Sequence, residues 1–135
     1  MSFECGADSY VHKTLLEGWN VCMDSVLFDG TDLGDRVETD LLEDMQYVEG
    51  VLEPDVISFL RDNTTIYVEQ DSEWPGAVYH PSSVWLTNNG YPAYWAKSVM
   101  LEAEPYLSSD SDCQPATLLH ELAHSYHHQH LGYDY

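Results

Sequence analysis

Basic side chains are scarce in this sequence: Lys13, Arg36, Arg61 and Lys97 stand against 24 acidic residues, for a formal charge of -20. A chain of that charge repels phosphate backbones and anionic headgroups, which argues against nucleic acid or a membrane surface as partner. Long apolar runs are missing too. None approaches the roughly 18 consecutive residues that a membrane-spanning helix needs. The segment Met1 to Tyr10 has no basic stretch followed by an apolar one, so it does not read as a signal peptide. The chain is then intracellular, or it is a processed or excised segment. Cysteine is limited to Cys5, Cys22 and Cys113 with no C-x-x-C spacing, which removes a cysteine-ligated structural zinc site. One disulfide with a free thiol and three reduced thiols both fit that count, and the compartment stays open. The sequence does not lack hydrophobic residues: at 44% they suffice to build a core despite the acidity. The 135 residues, 1–135, are expected to form one domain.

The most informative stretch is His120-Glu121-Leu122-Ala123-His124. At about 100° per residue, positions 120 and 124 lie one helical turn apart on one face, so two imidazoles can approach one metal ion. Glu121 projects from the flank of that face, where it can take a proton from a zinc-activated water without itself ligating the metal. This is the H-E-x-x-H pattern of zinc metalloproteases. Leu118, Leu119, Leu122 and Ala123 supply an apolar surface, Pro115 suits the first turn and Gly132 suits the stop. The competing reading is an ordinary buried helix, in which a Glu between two His would be awkward in an apolar core. The two ring nitrogens nearest each other are expected about 3 to 4 Å apart.

A catalytic zinc normally takes three protein ligands and keeps one position open. His127, His128 and His130 follow on the same segment. His130 has the spacing of the longer metzincin motif, but that motif has Gly where this chain has His127. If the helix continues to Leu131, His130 lies roughly 80° from the two-His stripe. His127 is on the stripe but one further turn away. Both stay open as third ligands, beside surface roles in which these histidines bond to nearby groups. His80, between Tyr79 and Pro81, reads as packed or hydrogen-bonded.

Along the chain, Val11, Leu15, Trp19, Val21 and Val26 mark extended segments over residues 10–28, with a turn at Gly18. From Val37, the residues Leu41, Leu42, Met45, Val48, Val51 and Leu52 follow a 3.6-residue period, predicting an amphipathic helix with an acidic outer face. Pro54 opens a second helix ending near Asn63. Strands are predicted at Thr64 to Glu69 and Lys97 to Glu102, a loop at 71–76, a turn at Asn88-Asn89-Gly90, and the motif helix at about 115–131. The fold class is α+β. The acidity reads first as a solvated surface and second as a preference for a basic peptide substrate.

Leu118 to His127, together with Val78-Tyr79-His80-Pro81-Ser82, Trp85-Leu86 and Asn89-Gly90-Tyr91, resembles a family of zincin metallopeptidases that carries these blocks in the same order. Thr14 to Val21 and Thr65 to Glu69 sit where that family has its early strands, so the resemblance covers most of the chain. It implies a zincin-like fold: a small twisted sheet, an amphipathic backing helix and a C-terminal active-site helix. It also implies Zn2+ as cofactor, His120 and His124 as ligands, Glu121 as general base, and a peptide or protein as substrate. In the family a later helix carries a glutamate that looks like the third ligand, in the gluzincin manner. This sequence stops at Tyr135 without that region, so the chain reads as truncated, with weak zinc binding and little peptidase activity expected. Similar proteins are often exported. The alternative is a non-catalytic truncated domain, or a module that holds metal weakly through its histidines. In the enzyme reading, an edge strand at about 98–103 would align substrate by strand addition.

Overall fold

The computed structural model of the chain describes residues 4–16, 18–70, 77–108 and 116–132. Alternating apolar residues build an opening hairpin of β1 (Tyr10–Leu15) and β2 (Trp19–Asp24), and Gly18 turns it in a left-handed conformation at φ +118°. Val26 is not extended, because Asp24 accepts the Val26 N–H and closes a 3-10 turn over Ser25–Phe28. Two helices follow, α1 (Leu33–Val51) and α2 (Pro54–Asn63), then β3 (Thr65–Glu69) and β4 (Ala77–His80). A short helix α3 (Ser83–Asn88) and a 3-10 turn at Ala93–Trp95 lead to β5 (Ser98–Glu102), α4 (Ala103–Ser108) and α5 (Ala116–Gln129). The loop expected at 71–76, Cys113 and Pro115 lie outside the described residues.

The fold is mixed α+β with a five-stranded sheet in the order β1-β2-β3-β5-β4. β2, β3 and β5 run parallel in the middle, while β1 and β4 are antiparallel to their neighbours at the two ends. The strand expected to form an edge, residues 98–103, is therefore interior. Every residue of β5 is buried, as its unbroken Val99-Met100-Leu101 run requires of a strand covered on both faces. Among the described residues the edge beside β5 is β4.

Period-two alternation divides the apolar residues between two cores. Val21, Met23, Ile66, Val68, Val99 and Leu101 face the helices, meeting Val37, Leu41, Met45 and Val48 of α1 and Leu118 and Leu122 of α5. Cys22, Tyr67 and Met100 face the other way, toward Leu86 and Trp95. A disulfide joins Cys5 to Cys22, so the cysteines are not all reduced. The Tyr106 hydroxyl of α4 donates to the buried Asp44 of α1, and Glu49 accepts from both Trp19 Nε1 and Arg61, each at 2.6 Å.

Three carboxylates meet where the parallel strands end: Glu69 is in register with Glu102, and Asp24 closes the neighbouring β2. The Tyr10 hydroxyl donates to Glu69 and lies 3.2 Å from the Tyr94 hydroxyl. Burial, aided by the charges of Asp24 and Glu102, outweighs the Tyr10 hydrogen bond and raises the Glu69 pKa to about 7. Such a carboxyl holds its proton more tightly folded than unfolded. Its contribution to stability is complete below the unfolded value of 4.5 and is lost as pH rises through about 7. Glu69→Gln is accordingly expected to match the wild type near pH 4 and to exceed its stability at about pH 8, by roughly 1–2 kcal/mol after allowing for partial exposure. Urea midpoints at the two pH values check this, and a pH-independent difference contradicts it.

Candidate metal centre on helix α5

Leu118 and Leu122, one turn apart, anchor α5 in the main core, and polar contacts fix its rotation. Ser125 Oγ lies 2.6 Å from Thr64 Oγ1 in a buried pair, and Gln129 Nε2 donates to Ser125 Oγ and to the Asn63 carbonyl. On the sheet side, the fully buried Tyr79 places its hydroxyl 2.9 Å from His128 Nδ1. The helix runs on through its histidines: the His130 N–H reaches the Tyr126 carbonyl at 2.9 Å, and Gly132 turns left-handed at φ +76° beyond it.

This rotation brings His120 and His124 together. Their Nε2 atoms are 2.9 Å apart and the rings stand edge to face at 88°, with centroids 4.5 Å apart. Glu121 sits between them in sequence and turns inward, only 8% exposed. Burial raises its pKa, while the nearby His120 and the backbone N–H of Tyr79, which the carboxylate accepts, hold the shift in check. Burial also lowers the pKa of His124, with His120 and His127 adding to the effect. The shift favours the neutral form of His124, the form in which an imidazole ligates metal.

The other histidines point elsewhere. His130 stacks on Tyr126 at 4.8 Å and meets Phe59 edge-on at 4.9 Å, so the continuing helix carries it off the pair. His127 is exposed, and its charge helps to lower the pKa of His124. His128 faces Tyr79. His80 stacks on Trp85 at 4.5 Å and accepts the Ser82 N–H, with its pKa lowered chiefly by burial. Sequence reasoning did not foresee Tyr79, although its place in an alternating strand beside His80 marks it as inward-facing.

Two nitrogens held roughly 2.1 Å from a tetrahedral zinc would be about 3.4 Å apart, so the pair fits the ion after a small outward movement. Among the described residues no group of three or more His, Cys, Asp or Glu is arranged to hold a metal. Among the described residues the donor set is two imidazoles.

No protein-family model, curated protein or solved structure matches the chain.

The geometry separates the histidines in a zinc titration. His120→Ala and His124→Ala are each expected to weaken binding at least tenfold, about 1.4 kcal/mol. His130→Ala should leave affinity within about twofold, since its ring is committed to Tyr126 and Phe59. Isothermal titration of the four proteins checks this, and a His130→Ala loss equal to that of His124→Ala contradicts it.

Proposed function

We propose that the chain carries the active-site helix of a zincin-type, zinc-dependent metallopeptidase. The observation that supports this reading is the convergence of His120 and His124 beside an inward-turned Glu121 that accepts the Tyr79 N–H of the edge strand. His120 and His124 would hold the metal. Zinc, when bound there, lowers the pKa of water toward neutrality. Glu121 is the general base: its raised pKa improves it as a proton acceptor while the Tyr79 N–H orients the carboxylate. Because that N–H points out of the ladder, the Tyr79 carbonyl does so too, and it offers an acceptor to an extended peptide laid along β4. In this reading β4, not β5, aligns the substrate. The resemblance in the sequence and the Cys5–Cys22 disulfide both fit an exported protein.

A second reading, a non-catalytic module that binds metal weakly, is favoured by one observation. The two Nε2 atoms are within hydrogen-bonding distance of each other, and no third ligand stands near them among the described residues.

Glu121→Gln decides between the readings. The amide keeps the shape but cannot accept a proton, so zinc content should be unchanged while peptide hydrolysis falls about 100-fold or more. Metal content and hydrolysis rate are measured on the same preparation. Hydrolysis that survives the substitution removes Glu121 from the mechanism. Zinc-loaded wild-type protein with no hydrolysis to lose establishes the binding module.

A further inference from the structure

On the face of β4 turned away from α5, aromatic rings form a ladder. His80 stacks on Trp85 with centroids 4.5 Å apart and planes at 23°. Trp85 and Tyr91 are nearly parallel at 6.2 Å, and Tyr91 stacks on Trp95 at 5.7 Å. The inner end, Trp95, is buried in the second core, whereas Trp85 is 41% exposed and its neighbour Val84 66%. The platform is rigidly built. Ser82 caps α3 by accepting the Trp85 N–H at 3.1 Å, and the Tyr91 N–H closes onto the Leu86 carbonyl at 2.8 Å. An exposed tryptophan held this firmly loses little freedom when something binds to it.

Strand geometry says what can reach it. Side chains of β4 alternate, Tyr79 toward α5 and His80 toward the ladder. A polypeptide paired along β4 alternates in the same way, so every second side chain of the guest falls on the ladder face beside Trp85 and Val84. Charge says which side chain suits that place. Of the four cations, Lys13, Arg36 and Arg61 are already paired with Glu38, Asp32 and Glu49, and the chain keeps a charge of -20. A lysine or arginine can lay its methylene stem on Trp85 and Val84 and leave its charge in that negative field. Lys97, whose N–H donates to the His80 carbonyl, is a charge that opposes such a guest.

We propose that Trp85 and Val84 form a side-chain subsite for lysine or arginine in a polypeptide segment lying along β4. The proposal deepens the peptidase reading and rests on it for the fate of the bound segment, while binding itself requires no metal.

The test uses the metal-free full chain and three fluorescein-labelled extended peptides, identical except for lysine, norleucine or glutamate at one central position. Anisotropy titrations at low salt should rank them lysine, norleucine, glutamate, with lysine at least tenfold tighter than glutamate, and the spread should shrink in about 0.3 M salt. Trp85→Ala should weaken the lysine peptide about tenfold, Trp85→Phe should retain most of the affinity, and Lys97→Ala should strengthen it. Equal affinity for the lysine and glutamate peptides in the wild type overturns the proposal whatever the variants do, and so does a lysine affinity indifferent to Trp85→Ala. Hydrolysis of the lysine peptide by zinc-loaded protein is followed separately. Ranked binding without cleavage keeps the subsite and removes the peptidase. Cleavage without the ranking does the reverse.

Discussion

The fully buried side chain of Tyr79 ties the edge strand to helix α5, its hydroxyl on His128 and its backbone N–H on Glu121. These two attachment points, Glu121 and His128, are about two helical turns apart; His124 lies between them and His120 immediately before the first. The rotation of α5 is therefore set from the sheet, and the Thr64–Ser125 hydroxyl pair sets it again from the end of α2. With the rotation fixed, the two imidazoles must converge, Glu121 must turn inward, and His130 must fall against Tyr126. The candidate centre is a consequence of how one helix is clamped.

Desolvation acts on the clamped groups in opposite directions. Partial burial raises the carboxyl of Glu121 and lowers the imidazolium of His124, so both are pushed toward their neutral forms. For a proton acceptor and a metal ligand those are useful displacements: the first brings the carboxyl nearer neutral pH, and the second favours the neutral imidazole that ligates metal. The same force acts on Glu69 at the far end of the sheet, but there the carboxyl meets Asp24, Glu102 and Tyr10. Its consequence is a stability that depends on pH.

Much of this was legible in the sequence where local rules dominate. The Pro54 helix start, the Gly18 turn and the β-branched run of β3 are read from short-range chemistry, and α2 ends at Asn63 as anticipated. That His120 and His124 share one face of the helix follows from helical spacing alone. Strand order does not, because it is decided by packing between distant segments, and so an interior β5 was mistaken for an edge. The six-residue helices α3 and α4 were missed because so short a segment shows no full hydrophobic period. The Ser82 cap was the one local signal for α3. The meeting of His130 and Tyr126 with Phe59 was out of reach, since it depends on how α5 packs against α2.

The central claim is that the rotation of α5 commits His120 and His124, and no other histidine of that helix, to a shared metal ion. Nitrogen NMR of the histidine-labelled chain, recorded while one equivalent of zinc is added, tests this most directly. The account predicts that the Nε2 resonances of His120 and His124 shift together to the values of metal-bound imidazole, while those of His127, His128 and His130 stay in place. A coordinated shift of His130, or zinc bound with the His120 and His124 resonances unmoved, would contradict it.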